Sequence, residues 1–214
     1  MLIIESYRTI ANNNQAELII KKSQFIGQIF RVTTEAEVQA FLTETRRTHH
    51  KANHNCFAYQ LGLHNETQRS SDDGEPSGTA GAPILNVLQQ EQLCNVLCIV
   101  TRYFGGIKLG AGGLIRAYGQ ATTAAVNAAE RVIAIPQVNY QLTIDYDQFD
   151  ILNHYLREQK ISNDPPEYAA QITIGIWLDL TTALDQITSL KNLLNGRVKI
   201  TERGQAFHEV PLVD

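Results

Sequence analysis

A chain of 214 residues, 43% hydrophobic and 19% charged, is an ordinary globular protein of one large domain or two smaller ones, at about 100–200 residues per domain. Its formal charge of −4 argues against a coat that grips nucleic acid indiscriminately. The longest uninterrupted apolar run, Val96 to Val100, is far short of the roughly 20 residues that a membrane helix needs.

The charge is unevenly spread. Up to residue 135 there are 12 Lys and Arg against 11 Asp and Glu, and from 136 onward 6 against 11, giving +1 and −5. Only a local basic patch in the first part is therefore expected as an anion site. Cys56, Cys94 and Cys98 are odd in number and lie among apolar residues, which points to reduced core thiols rather than a disulfide framework. The start, Met1-Leu2-Ile3-Ile4-Glu5, lacks the long apolar core of a signal peptide. The expectation is a soluble, cytoplasmic protein without membrane contact.

In chain order, Glu17 to Lys22 and Phe25 to Val32 read as strands separated by Ser23-Gln24. Thr34-Glu35-Ala36-Glu37 reads as a capping box, and Val38, Phe41 and Leu42 supply the apolar face of a helix from about Glu35 to Arg47. Phe57, Tyr59 and Leu61 alternate as a strand. Gly62 to Gly81 is polar, turn-rich and without period, and reads as a long loop. A short helix over Pro83 to Gln90 leads to Asn95 to Phe104, whose apolar run suits a strand buried on both faces. The glycine-rich loop Gly105 to Gly113 opens a helix from about Leu114 to Arg131. Its small-residue stripe, Leu114, Tyr118, Ala121, Ala125 and Ala128, lets it lie close on a sheet.

Past Ile135-Pro136 the pattern restarts. Val138 to Ile144 alternate as a strand, Asp147 can cap a helix carrying Phe149, Leu152, Tyr155 and Leu156, and Ile172 to Leu178 alternate again. Leu184, Ile187, Leu190 and Leu194 mark a second helix stopped by Asn195-Gly196, and Val198 and Ile200 begin a last strand. With an extra strand near Glu167, this order is that of a ferredoxin-like α+β sandwich. The expected domains are 1–135 and 136–214.

Three segments have the residue types that chemistry requires. In His49-His50-Lys51-Ala52-Asn53-His54-Asn55-Cys56, imidazoles and a thiol are dense enough to suggest zinc, and a strand would point His54 and Cys56 to one face. No second cluster completes a site, so a helix-to-strand turn is the competing reading. In Ser70 to Gly81, Asp72, Asp73 and Glu75 offer oxygens to magnesium or a general base. Alternatively, Asp72, Asp73 and Thr79 only cap turns and the following helix. The third segment, Arg102 to Tyr118, takes a buried strand into five glycines and a helix start. Its amides, with Arg102, Lys108 and Arg116, suit phosphate. Ala111 and Gly112 stand where a P-loop needs Lys and Ser or Thr, and Ile115 where a dinucleotide fingerprint needs Gly or Ala. Turn geometry alone is the alternative use of the glycines. No set for nucleophilic catalysis is visible.

Lys22-Ser23-Gln24-Phe25, Ala52-Asn53-His54-Asn55-Cys56-Phe57-Ala58-Tyr59, Ser71 to Gly81 and Thr101 to Gly110 closely resemble the motifs of the IMPACT family, and the two-part layout looks like its bacterial YigZ-type branch. The resemblance implies a two-domain α+β fold. The N-terminal domain would be an α/β sandwich like the second domain of a small-subunit ribosomal protein, with about four strands covered by helices on one face. The C-terminal domain would be ferredoxin-like, similar to the last domain of the translocating elongation factor. It also implies a non-enzymatic, translation-linked partner of RNA or the ribosome. A protein-interaction regulator, as among eukaryotic relatives, and a metal-assisted enzyme on a phosphorylated small molecule are the alternatives. Carried over from the motifs are Asp72, Asp73 and Glu75 as an acidic loop open to magnesium or a partner, and Arg102, Tyr103, Gly105, Gly106, Lys108, Gly110 and Arg116 as an RNA or phosphate surface. Phe104 and Gly113 complete that surface. Gln24 stands where Arg is common in the family.

Overall fold

The computed structural model describes residues 5–212; the apolar start Met1 to Ile4 lies outside the described residues. Two compact units are present. One is built from residues 7–134 with residues 209–212, the other mainly from residues 135–208.

In the first unit, β2 (Asn14–Ile20), β3 (Ser23–Arg31), β4 (His54–Leu61), β5 (Thr67–Ser71) and β6 (Val96–Tyr103) form an antiparallel sheet in the order β2-β3-β6-β4-β5. A short β1 (Tyr7–Ile10) pairs instead with the start of β7 (Arg131–Ile144). The central β6 is flanked on both sides and buried on both faces, which is why its sequence shows an apolar run rather than alternation. Cys56, Ala58, Cys98 and Val100 pack under α2 (Gly81–Gln90) and α3 (Ala111–Ala128). Tyr59, Leu61, Leu97 and Ile99 pack on the opposite side with Val38 and Leu42 of α1 (Glu35–Thr48). Helices thus cover both faces of a five-stranded sheet, not one face of about four strands as the resemblance implied.

The Thr34 capping box opens α1 as predicted, with Glu37 N donating to Thr34 Oγ1 at 3.2 Å and Thr34 N donating to Glu37 Oε2 at 3.0 Å. The expected loop Gly62 to Gly81 contains β5, an edge strand whose polar Thr-Gln-Arg-Ser-Ser carries no apolar alternation because little of it is buried. Helix α3 begins and ends three residues earlier than the expected Leu114 to Arg131, because Arg131 already belongs to β7, and its end coincides with the last residue of the small-residue stripe, Ala128. That stripe lies so close to β3 that a Cβ on Gly27 would stand 2.4 Å from the Ala121 carbonyl oxygen.

The second unit runs β7, α4 (Phe149–Glu158), β8 (Ser162–Asn163), β9 (Glu167–Tyr168), β10 (Ile172–Asp179), α5 (Ala183–Leu193) and β11 (Lys199–Pro211). Strand β7 lies between β11 and β10, and both β8 and β9 pair with β10. This is the ferredoxin-like sandwich, its second strand broken in two around Pro165-Pro166. Asp147 does not cap α4. Asp145 and Gln148 form a capping box around a 3₁₀ turn ahead of it, and Asp147 pairs with Arg197 at 3.0 Å. Pro136 falls inside β7, between the stretch paired with β1 and the stretch paired with β10, where its missing N–H breaks neither of those ladders.

The close seat of α3 makes a test. Gly27→Ala should destabilise the protein by about 1–3 kcal/mol, read as a lower urea midpoint with an unchanged slope.

Candidate functional site

Near its C-terminal end β6 delivers Arg102, only 5% exposed, into the side of the sheet that faces α3. Its guanidinium lies between the rings of Phe25 and Phe104, 5.3 and 5.5 Å from their centroids. Nη1 donates to Glu75 Oε1 at 2.6 Å, Nη2 reaches Ser23 Oγ at 3.4 Å, and Nε has no partner. Glu75 is itself buried, and its Oε1 also accepts from the Tyr118 hydroxyl at 2.8 Å. His54 Nε2 stands 3.9 Å from the same oxygen. Strand β6, the loop after β5 and helix α3 are thereby tied to one carboxylate.

Above this pair opens a cleft of about 460 Å³, lined by Asn53, His54, Glu75, Phe104, Lys108 and Leu109 among others. Its far wall is the start of α3. Gly110 is the N-cap, in a left-handed conformation (φ 70°), with no side-chain bond and no acidic residue in the first turn. The first bond within the helix runs from Leu114 N to Gly110 O at 2.9 Å, so the amides of Ala111, Gly112 and Gly113 have no intrahelical acceptor. The Arg116 guanidinium folds back over this end, its Nη1 3.8 Å from where a Gly112 Cβ would stand. Two cations beside the positive end of an 18-residue helix repel it and each other, a charge arrangement completed by an anion.

The remaining sequence-chosen residues separate. Tyr103 turns away from the cleft, its hydroxyl 3.0 Å from His49 Nδ1, while Phe104 is 46% exposed at the rim. Gly105 presses on the β2–β3 turn, Gly106 is left-handed (φ 86°), and Gly113 packs on Leu109. The three carboxylates do not converge. Asp72 accepts from the amides of Gly78, Ala80 and Gly81 at 2.9, 3.0 and 2.8 Å, holding the start of α2. Asp73 accepts from Asn55 N at 2.6 Å, so only Glu75 reaches the cleft. Thr79, weighed as a cap, donates instead to Pro76 O at 2.6 Å.

The histidine-rich segment is likewise divided, with His54 Nδ1 bonded to Asp73 O at 2.9 Å and Cys56 Sγ to Asp72 O at 2.9 Å. Among the described residues no three His, Cys, Asp or Glu side chains are grouped to hold a metal ion. Burial pushes the Cys56 thiol up to about 12, with Glu75, Asp73 and Asp72 adding to the effect and the Tyr118 hydroxyl opposing it. The thiol is therefore protonated at neutral pH and a poor nucleophile. For Asp72, burial acts upward, but its three amide bonds together outweigh it and hold the carboxyl below its ordinary value.

Similarity to known proteins adds to this geometry. The Impact N-terminal domain matches residues 21–126, which include the whole cleft. The IMPACT family member YvyE of Bacillus subtilis is 36% identical over 200 residues, covering 94% of this chain and 92% of its own. The chain belongs to the IMPACT family. Another family member, YigZ of Escherichia coli, is 31% identical over 185 residues, 85% of this chain and 90% of YigZ. The Protein IMPACT homolog of Dictyostelium discoideum is 37% identical over 94 residues, 42% of this chain and 27% of its own. A crystal structure of a hypothetical protein superposes with a TM-score of 0.61 at 28% identity, covering 94% of this chain and 99% of that one. Within the family's first domain, sequence reading missed Ser23, Phe25 and the hydroxyl of Tyr118 as parts of this site. The one available signal was a tyrosine in an alanine-rich helix stripe, whose buried hydroxyl requires a partner.

Two tests follow from these bonds. Arg102→Leu should cost about 3–5 kcal/mol by stranding the buried Glu75 carboxylate, and adding Glu75→Gln should restore much of it; a loss below about 1 kcal/mol would deny the pair its anchoring role. For Asp72 the folded pKa is depressed, so its contribution is complete above the ordinary carboxylate value of about 3.9 and is lost as pH falls through the lower folded value. Asp72→Asn should therefore lower the melting temperature at neutral pH and flatten its decline in acid.

Proposed function

We propose that this protein is a non-enzymatic, translation-linked binder of RNA, free or within the ribosome, and that the cleft of its first unit holds the phosphate. One observation carries the reading: the open start of α3 faces the cleft with Lys108 and Arg116 beside it and no acidic residue in its first turn. Arg102 adds a buried guanidinium whose Nε is unpartnered. Phe104, half exposed on the rim, presents a face on which a base stacks, a contribution of about 1–3 kcal/mol in single-strand binding. The chain's net charge of −4 disfavours indiscriminate association with a polyanion and favours binding at local clusters of cations.

A protein-interaction role finds support in Phe104, Ile107 and Ile115, which are 46%, 40% and 44% exposed along the loop and the N-terminal part of α3. Catalysis finds less. Glu75 is held in a buried ion pair, and the Cys56 thiol is raised to about 12, chiefly by burial.

The test is fluorescence anisotropy with a labelled single-stranded RNA oligonucleotide, alongside co-sedimentation with ribosomes at low salt. Lys108→Glu and Arg116→Glu should each weaken binding about tenfold or more, with the melting temperature unchanged. Each lost phosphate contact should flatten the salt dependence by about 0.7 in log–log slope. Absence of RNA and ribosome association in the wild-type protein would remove the proposal, and a stable protein partner lost on Phe104→Ala would put the second reading in its place.

A further inference from the structure

The hairpin turn between β2 and β3 has a sequence that its geometry does not favour. Ile20 pairs with Ser23, leaving Lys21 and Lys22 as the two central residues, at φ 45° and 65°. Two positive φ values in a two-residue loop make a type I′ turn, the conformation for which Asn-Gly is the favoured sequence. Lysine meets the steric cost of the left-handed region with no local hydrogen bond from its side chain. Both residues are exposed, neither joins an ion pair among the described residues, and no carboxylate occurs in the chain between Glu17 and Glu35. Two exposed lysines thus occupy the adjacent central positions of a strained turn.

The turn is also fixed to the cleft. A Cβ on Gly105 would stand 1.9 Å from Lys22 O and 2.5 Å from Ser23 N, so the two backbones touch there and only glycine permits it. Ser23 Oγ accepts from Gly105 N at 3.2 Å and from Arg102 Nη2 at 3.4 Å. Gly105 follows Phe104 of the cleft rim directly, and Lys108 lies three residues on. Arg102 shares Ser23 with this turn and lines the cleft with an unpartnered, buried Nε. One backbone contact therefore joins the cleft to the paired lysines.

We infer that Lys21-Lys22 is a second phosphate contact for the same strand of RNA, so that the site reads a continuous backbone rather than one isolated phosphate. This rests on the RNA-binding reading above and extends it. A cleft alone holds a mononucleotide as well as it holds one unit of a polymer. A second pair of cations beyond Gly105 favours the polymer, because each neutralised phosphate of a strand releases its own counterions.

The experiment compares wild type, Lys21→Asn with Lys22→Gly, and Lys21→Gln with Lys22→Gln. The probes are a labelled ten-nucleotide oligouridylate, measured by anisotropy across a salt series, and uridine monophosphate as competitor. Both double variants should bind the oligomer roughly tenfold more weakly, with a log–log salt slope shallower by about 1.4, and should leave uridine monophosphate affinity at the wild-type value. The Asn-Gly variant should also melt about 2–4 °C higher, because its turn is relieved, and the Gln-Gln variant should not. Oligomer affinity and slope unchanged in both, while Lys108→Glu still weakens binding, overturns this inference and leaves the cleft reading intact. Loss in the Asn-Gly variant alone would assign the effect to turn shape and overturn it too. If the wild-type protein binds no RNA, both readings fall together.

Discussion

The buried contact between Arg102 and Glu75 is the interaction around which the first unit is arranged. Three segments distant in sequence meet at it: the end of β6, the loop that follows β5, and α3 through the Tyr118 hydroxyl. Taking both charges out of water costs several kcal/mol per ion before their attraction is counted. The pair therefore contributes position more than net stability. The Tyr118 bond and the flanking rings of Phe25 and Phe104 compensate part of the desolvation. What they fix is the floor of a cleft, because the glycine loop must depart from a strand end that cannot move.

Electrostatics then divides among the residues in a way that the charge total hides. Arg102 is the most central cation, yet Glu75 neutralises most of its field. Lys108 lines the cleft and Arg116 lies over the first turn of α3, outside that lining, where the helix start leaves its amides open. Glycines matter here through their backbones. Gly110 supplies a left-handed cap that offers no acidic group to the helix, and Gly105 lets the loop rest on the β2–β3 turn. An alanine at Gly105 would force the loop off Ser23, and with it the alignment of Phe104 over Arg102.

Much of this was legible in the chain, for identifiable reasons. Helix α1 was readable because its capping box and apolar face are local, and β6 because burial on two faces leaves an apolar run. The ferredoxin-like order followed from alternation and helix periods. What escaped were features set by distant partners. β5 is a polar edge strand defined by pairing with β4; Asp72, Asp73 and Glu75 are adjacent in sequence yet serve α2, β4 and Arg102 respectively. Grouping those carboxylates as one acidic surface was natural from spacing and wrong in direction, because a turn with left-handed Asp73 and Gly74 sends each side chain elsewhere. Arg102 was chosen for its charge, whereas burial beside Glu75 makes it part of the frame as well as of the cleft.

The same logic lets a net charge of −4 coexist with a local grouping of cations and open helix amides. Screening at physiological ionic strength limits the reach of exposed charges to about 8 Å, so a net charge summed over 214 residues says little about the balance of charge around a single cleft. On the RNA-binding proposal, a partner that offers one exposed phosphate strand at a time fits a small patch of helix amides and cations better than a duplex presenting phosphate on all sides.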